Sequence, residues 1–241
     1  MGKTGNITPR RQRTLRLLLL SACGLAINFL GVRLATALNL PLFLDNIGSA
    51  LAAALGGYIP GIVVGFFTNI INGINDYETT YYGSLTVLIA ICSAWYAGKG
   101  YYEKPWKLPV VALTFALIGG GLGSVLTWTL YGFDFGTGIS APLAHRIYAL
   151  GGLSEFWSQF AADMLIDVAD KAITVAVVAA VLNIMPVSLK NSFAFTGWQQ
   201  APLSRKRLAA LDKKRSRKIS LRSKIVLLVA SAMLIIAGVV T

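Results

Sequence analysis

The chain reads as an all-α polytopic membrane protein: six transmembrane helices, then a basic cytoplasmic linker and a seventh transmembrane helix. Three features carry that reading. Charged residues make up only 13% of the 241 positions, about half the share of roughly 25% typical of soluble domains. Apolar residues, at 55%, gather into blocks, several near the roughly 20 residues a helix needs to cross a bilayer. The charges lie between those blocks and sort by sign, as loop charges do in membrane proteins.

Residues 1–14 form a basic, polar tail on the cytoplasmic side. The first apolar block, 15–38, has no small-residue cleavage site after it, so it reads as a retained helix and not a signal peptide. Blocks 44–58 and 59–75 are short and joined by GGYIPG, where Pro60 and its flanking glycines set a turn; they read as two helices. Blocks 81–98, 108–131 and 158–185 complete a six-helix domain over residues 15–186. Residues 187–220 are polar and end in SRKRLAALDKKRSRKIS, which suits a basic amphipathic helix on anionic headgroups. Residues 221–241 read as a seventh crossing that leads to domains beyond this chain.

Orientation follows from the basic residues. Residues 3–16 carry five Lys/Arg, the 98–107 loop carries three, and 186–224 carries eleven, so nineteen of twenty-two lie on one side. By the positive-inside rule that side is cytoplasmic, which expects a multi-pass protein of a bacterial inner membrane with its N-terminus inside. Asp45, Asp76, Glu78, Asp134 and Glu155 lie in or beside the opposite loops. Trp95, Tyr96, Tyr101, Tyr102 and Trp106 would form an inner aromatic belt, and Tyr77, Tyr81, Tyr82, Trp128, Tyr131, Tyr148 and Trp157 an outer one. Trp128 and Trp157 also flank the long outer loop 132–157, which makes them candidates for lining a ligand site. Small residues recur at helical spacing: Gly57, Gly61 and Gly65; Gly119 and Gly123; Ala22 and Ala26. These are read first as packing contacts between helices of one chain. Cys23 and Cys92 read as small core residues.

The sequence holds no catalytic constellation, so an enzyme is not expected in this region. His145 has no paired nucleophile, and neither HExxH nor CxxC nor a phosphate-binding glycine loop occurs, so no metal site and no cofactor are predicted. The net charge of +12 sits in loop blocks without a nucleic-acid-binding module, so no nucleic-acid partner is expected.

What remains is polar residues inside apolar runs. Asp45 and Asn46 stand in LDNIGS, and Asn69 and Asn72 in TNIINGIN, three apart and so on one helix face. The block FWSQFAADMLIDVADKAITVAVVAAVLNIMP, 156–186, carries Asp163, Asp167, Asp170 and Lys171. At about 2.5–3.5 kcal/mol each near a helix centre, these four demand a protein interior or a wet cavity. Asp163, Asp167 and Lys171 repeat every four residues, so one stripe can hold an Asp167–Lys171 ion pair. Asp170 points about 60° away, with Arg33 or the end of another helix as its partner. The outer acids Asp163 and Asp167 are ligand candidates; Asp167, Asp170 and Lys171 are candidates for a structural ion pair.

LPLFLDNIGSALAAALGGYIPGIVVGFFTNIING, 40–73, resembles the second and third helices of the substrate-binding S components of energy-coupling factor vitamin transporters, and of related vitamin-uptake-like sensor domains. It has a Pro-leading loop, an LDxIG start, a glycine turn and a TNxxxG ending. DKAITVAVVAAVLNIMP is similar to their sixth-helix pattern, so the resemblance spans about residues 15–186. It implies a six-helix bundle with a small-ligand cavity in its outer half, capped by the 1–2, 3–4 and 5–6 loops. Asp45, Asn46, Asn69, Asp163 and Asp167 fall at its loop and helix positions. The ligand set expected is Asp45, Asn46, Asn69, Asn72, Trp128, Trp157, Asp163 and Asp167. The added linker and seventh helix depart from an S component, and SLRSKIVLLVASAMLIIAGVV resembles helices that lead into bacterial signalling modules. The expected function is therefore a sensory input domain for a small vitamin-like ligand, homodimeric through a fused kinase, cyclase or phosphatase. The alternative is a transporter S component that docks an ATPase module through Ala22 and Ala26.

Overall fold

The computed structural model describes residues 9–74 and 77–193, and every regular element among them is helical. The elements are α1 (Pro9–Ala37), α2 (Ile47–Gly56), α3 (Tyr58–Asn72), α4 (Gly83–Gly98), α5 (Leu108–Ala116), α6 (Gly123–Leu130), α7 (Ala141–Ala149), α8 (Glu155–Ile184) and α9 (Val187–Phe193). Two spans, Gln12–Ala37 and Pro105–Leu130, are long and apolar enough to cross a membrane, and α8 with α9 makes a third if the bent pair counts as one. The predicted seventh helix and most of the linker lie outside the described residues.

The outside of the bundle is apolar. Leu18, Leu19, Leu30, Phe66, Phe67, Leu113, Leu117, Leu165 and Ile173 are all exposed. Outward-facing leucine and phenylalanine in such number fit helices immersed in lipid.

α2 is the centre of the domain. Its sequence IGSALAAALG is short and made mostly of small residues, and it packs against α1, α3, α4 and α8. Small side chains let backbones come close: a Cβ at Gly48 would overlap the Gly24 carbonyl oxygen of α1. The turn from α2 into α3 is a single residue, Gly57, at φ 87°, a conformation that a Cβ disfavours. α5 and α6 are joined by one wide π-type turn, Leu117–Leu122, whose sequence LIGGGL carries three successive glycines. Within the loop read as 132–157, α7 forms and packs against α8.

Several expectations are corrected. Cys23 is exposed on α1 and so is no core residue. Ala22 and Ala26 also face outward; Gly24, Asn28 and Gly31 form the packed stripe of α1 instead. Tyr96 and Tyr102 are buried and not part of an exposed belt: Tyr102 shares a hydrogen bond of 2.8 Å with Ser93, and Tyr96 one of 2.7 Å with Thr114. Burial raises the Tyr102 hydroxyl well above its ordinary pKa. The close approach expected of Gly119 and Gly123 falls on Gly119 and Gly120, against α8, while a Cβ at Gly123 would make only an ordinary contact with Leu85.

Candidate functional site

The site grows from one face of α8. Ser158, Gln159, Asp167, Asp170, Lys171 and Thr174 are all buried, and Asp163 is partly so. Their spacing of three, four and seven residues puts them in one polar seam along the helix. Lys171 Nζ lies 2.6 Å from Asp170 Oδ2 and 3.1 Å from Asp167 Oδ1, so the predicted Asp167–Lys171 pair is present and Asp170 joins it.

The partner of Asp170 is not Arg33, whose guanidinium lies over the Phe29 ring at 4.9 Å. Asp170 Oδ1 instead accepts from the backbone N–H groups of Phe43 (3.0 Å) and Leu44 (2.8 Å). Leu44 has a φ of 50°, an uncommon conformation for leucine that these hydrogen bonds hold in place. The Phe43 ring then lies 5.7 Å from Lys171 Nζ. The segment that leads into α2 is thus fastened across the ion pair. Asp45 follows directly; burial raises its carboxyl pKa, the nearby Lys171 ammonium opposes that, and Asp170 adds to it. Asn46 Nδ2 donates to Asp45 Oδ1 at 2.5 Å.

The α5–α6 π turn supplies the opposite wall. A Cβ at Gly119 would overlap Asp167 Oδ2, and one at Gly120 would come within 2.9–3.0 Å of the Asp163 carbonyl oxygen, Asp167 Cβ and Met164 Cα. The glycine run therefore exists where α8 presses closest. Further along α8, Gln159 Nε2 donates to Ser140 Oγ (3.0 Å) and Asp163 Oδ1 (2.8 Å).

The structure brings Asp45, Asn46, Asp163 and Asp167 to this seam from the predicted set. Asn69 is buried elsewhere, donating to Gly65 O and Thr86 Oγ1 between α3 and α4. Asn72 is half-buried at the end of α3. Trp128 packs edge-on to Phe156 and Phe133. Trp157 is 54% exposed and meets Phe156 and Phe160 edge-on, so it faces away from the seam, a correction to its expected lining role. His145 is exposed on α7 and packs on Phe135.

Sequence reasoning missed two things. Asn28 is the hub of the first three helices: it donates to Ser49 (2.7 Å) and Thr68 (2.9 Å) and accepts from Gly48 N–H (2.6 Å). A lone amide inside the first apolar block was the available signal. Gln159 and Ser140 were also missed, because neutral polar residues near a loop do not stand out from composition.

The chain matches no family profile, no curated protein and no solved structure. The functional reading therefore rests on the residues and their geometry.

Among the described residues, no group of three His, Cys, Asp or Glu side chains is placed to bind a metal ion. The seam's chemistry is that of buried carboxylates, amides and hydroxyls around one lysine. An open cleft of about 330 Å³ lies beside it, lined by Ala35, Thr36, Asn39, Leu40, Pro41, Leu42 and Ile139. Ile139 precedes Ser140, the buried partner of Gln159.

Proposed function

We propose that this chain is a membrane-embedded sensory input domain that binds a small, vitamin-like ligand in the outer half of a six-crossing bundle. The binding event would be passed to a fused output domain, a kinase, cyclase or phosphatase. In this reading the protein sits in a bacterial inner membrane with the N-terminus cytoplasmic, and it dimerises through the output domains. The observation that carries the reading is the fastening of the 43–46 segment across a buried polar seam by Asp170. A ligand that prefers one position of that segment would shift the balance between two states, and differential affinity of this kind is what signalling requires.

The test is a thermal-shift screen of the purified chain in nanodiscs against a panel of water-soluble vitamins and their precursors. A ligand that binds only the folded state raises the melting temperature. The expected result is a rise with at least one compound. Absence of any rise across the panel would leave a structural membrane anchor as the better reading.

A second reading has its own support. Ala22 and Ala26 are exposed on α1, which suits a surface for an energising ATPase module. Uptake of labelled ligand by cells that express the chain together with such a module would favour transport. Ligand-dependent change in the activity of the attached output domain would favour sensing.

A further inference from the structure

We infer that the ligand of the α8 seam is a cation that presents nitrogen-bound hydrogens, a protonated amine or amidine, to Asp163 and Gln159. This rests on the ligand-binding reading above and narrows it to one chemical class.

The argument starts from which buried atoms lack partners. Along the seam and the adjoining segment they include Asn46 Oδ1, Gln159 Oε1 and Asp163 Oδ2, which can only accept while the carboxylate is ionised. Ser158 Oγ, which can donate or accept, is a fourth. Gln159 is fully buried. Its amide orientation is fixed by its neighbours: a flip would set its oxygen 2.8 Å from the Asp163 carboxylate. Its Oε1 and Asp163 Oδ2 are therefore two unmet oxygens on side chains already joined by a hydrogen bond.

Charge points the same way. The seam and its adjoining loop hold four carboxyl groups, Asp45, Asp163, Asp167 and Asp170, and the only cation in this cluster is Lys171. Lys171 is taken by Asp167 and Asp170. The Asp163 carboxylate has neutral partners, the Gln159 amide and the Ser140 hydroxyl, and no cation among the described residues. Buried ionised carboxylates call for charged donors, and an amidine offers two N–H groups in a planar fork.

The experiment uses benzamidinium and its neutral isostere benzamide on the full chain in nanodiscs, read by melting temperature. At about ten times the dissociation constant, benzamidinium is expected to raise the melting temperature by about 3–5 °C. Benzamide is expected to leave it unchanged. Asp163→Asn should abolish the rise while melting, unliganded, at or above the wild-type temperature. If that variant does not fold, Gln159→Leu takes its place. The inference is overturned if the two compounds act alike, if benzamidinium has no effect, or if the rise survives in the variant. An Asp163-dependent rise with a neutral or anionic vitamin would keep the binding site and reject the cation class; no rise with any compound would reject both.

Discussion

Lys171→Met tests the ion pair most directly. The substitution keeps a long unbranched side chain and removes the ammonium. Lys171 is 2% exposed, and Asp170 and Asp167 are 0% and 3% exposed, so both carboxylates would be left buried without their cation. Removing one partner of a buried pair costs about 3–5 kcal/mol. Asp170 would retain its two backbone donors, Phe43 and Leu44, whereas Asp167 has Lys171 as its only cation among the described residues. The larger share of the loss therefore belongs to Asp167. At roughly 2–4 °C per kcal/mol for a domain of 150–250 residues, the melting temperature should fall by about 6–20 °C. The assay is thermal unfolding in detergent, followed by circular dichroism and intrinsic fluorescence. A second variant, Lys171→Met with Asp167→Asn, should recover at least about 1 kcal/mol, because it neutralises the stranded carboxylate. Melting of Lys171→Met within about 2 °C of wild type would refute the argument, since it would mean that the buried carboxylates do not need the lysine.

Three further outcomes follow from the packing. Gly119→Ala should destabilise by about 1–3 kcal/mol, because its Cβ overlaps Asp167 Oδ2, whereas Gly98→Ala, with nothing within 4 Å, should be neutral or raise stability by up to about 1 kcal/mol; chemical denaturation of both separates crowding from helix propensity. Asn28→Ala should cost about 2–3 kcal/mol through the loss of its links to Gly48, Ser49 and Thr68, read as a lowered melting temperature. Asp170→Asn weakens the acceptor for two backbone amides, so hydrogen exchange at Phe43 and Leu44 should accelerate about tenfold or more while the amides of α3 stay protected.

Much of the fold was legible because the membrane makes its demands openly. Block lengths and charge clusters anticipated α1, α4, the α5–α6 span and α8 to within several residues, and GGYIPG marked the break between α2 and α3. The Asp167–Lys171 pair was legible because a four-residue spacing fixes a shared face whatever the tertiary fold. The place of Asp170 beside Lys171 was also anticipated, but its bonds to Phe43 and Leu44 were not, since those backbone amides lie 127 and 126 residues away and no periodicity encodes them. The outward face of Trp157 was hidden for a related reason: aromatic residues at a membrane boundary suit either side of a helix. Gly120 was passed over in favour of Gly123 because a regular helix puts Gly119 and Gly123 on one face, and the π turn at Leu117–Leu122 breaks that register.

The two oxygens of Asp170 have separate clients, the loop amides on Oδ1 and the Lys171 ammonium on Oδ2. A carboxylate is planar and rigid, so its oxygens cannot move independently. One rigid group therefore couples the position of the segment before α2 to the charge pairing of α8: the seat of Phe43 and Leu44 and the seat of the Lys171 ammonium are set by the same side-chain rotamer.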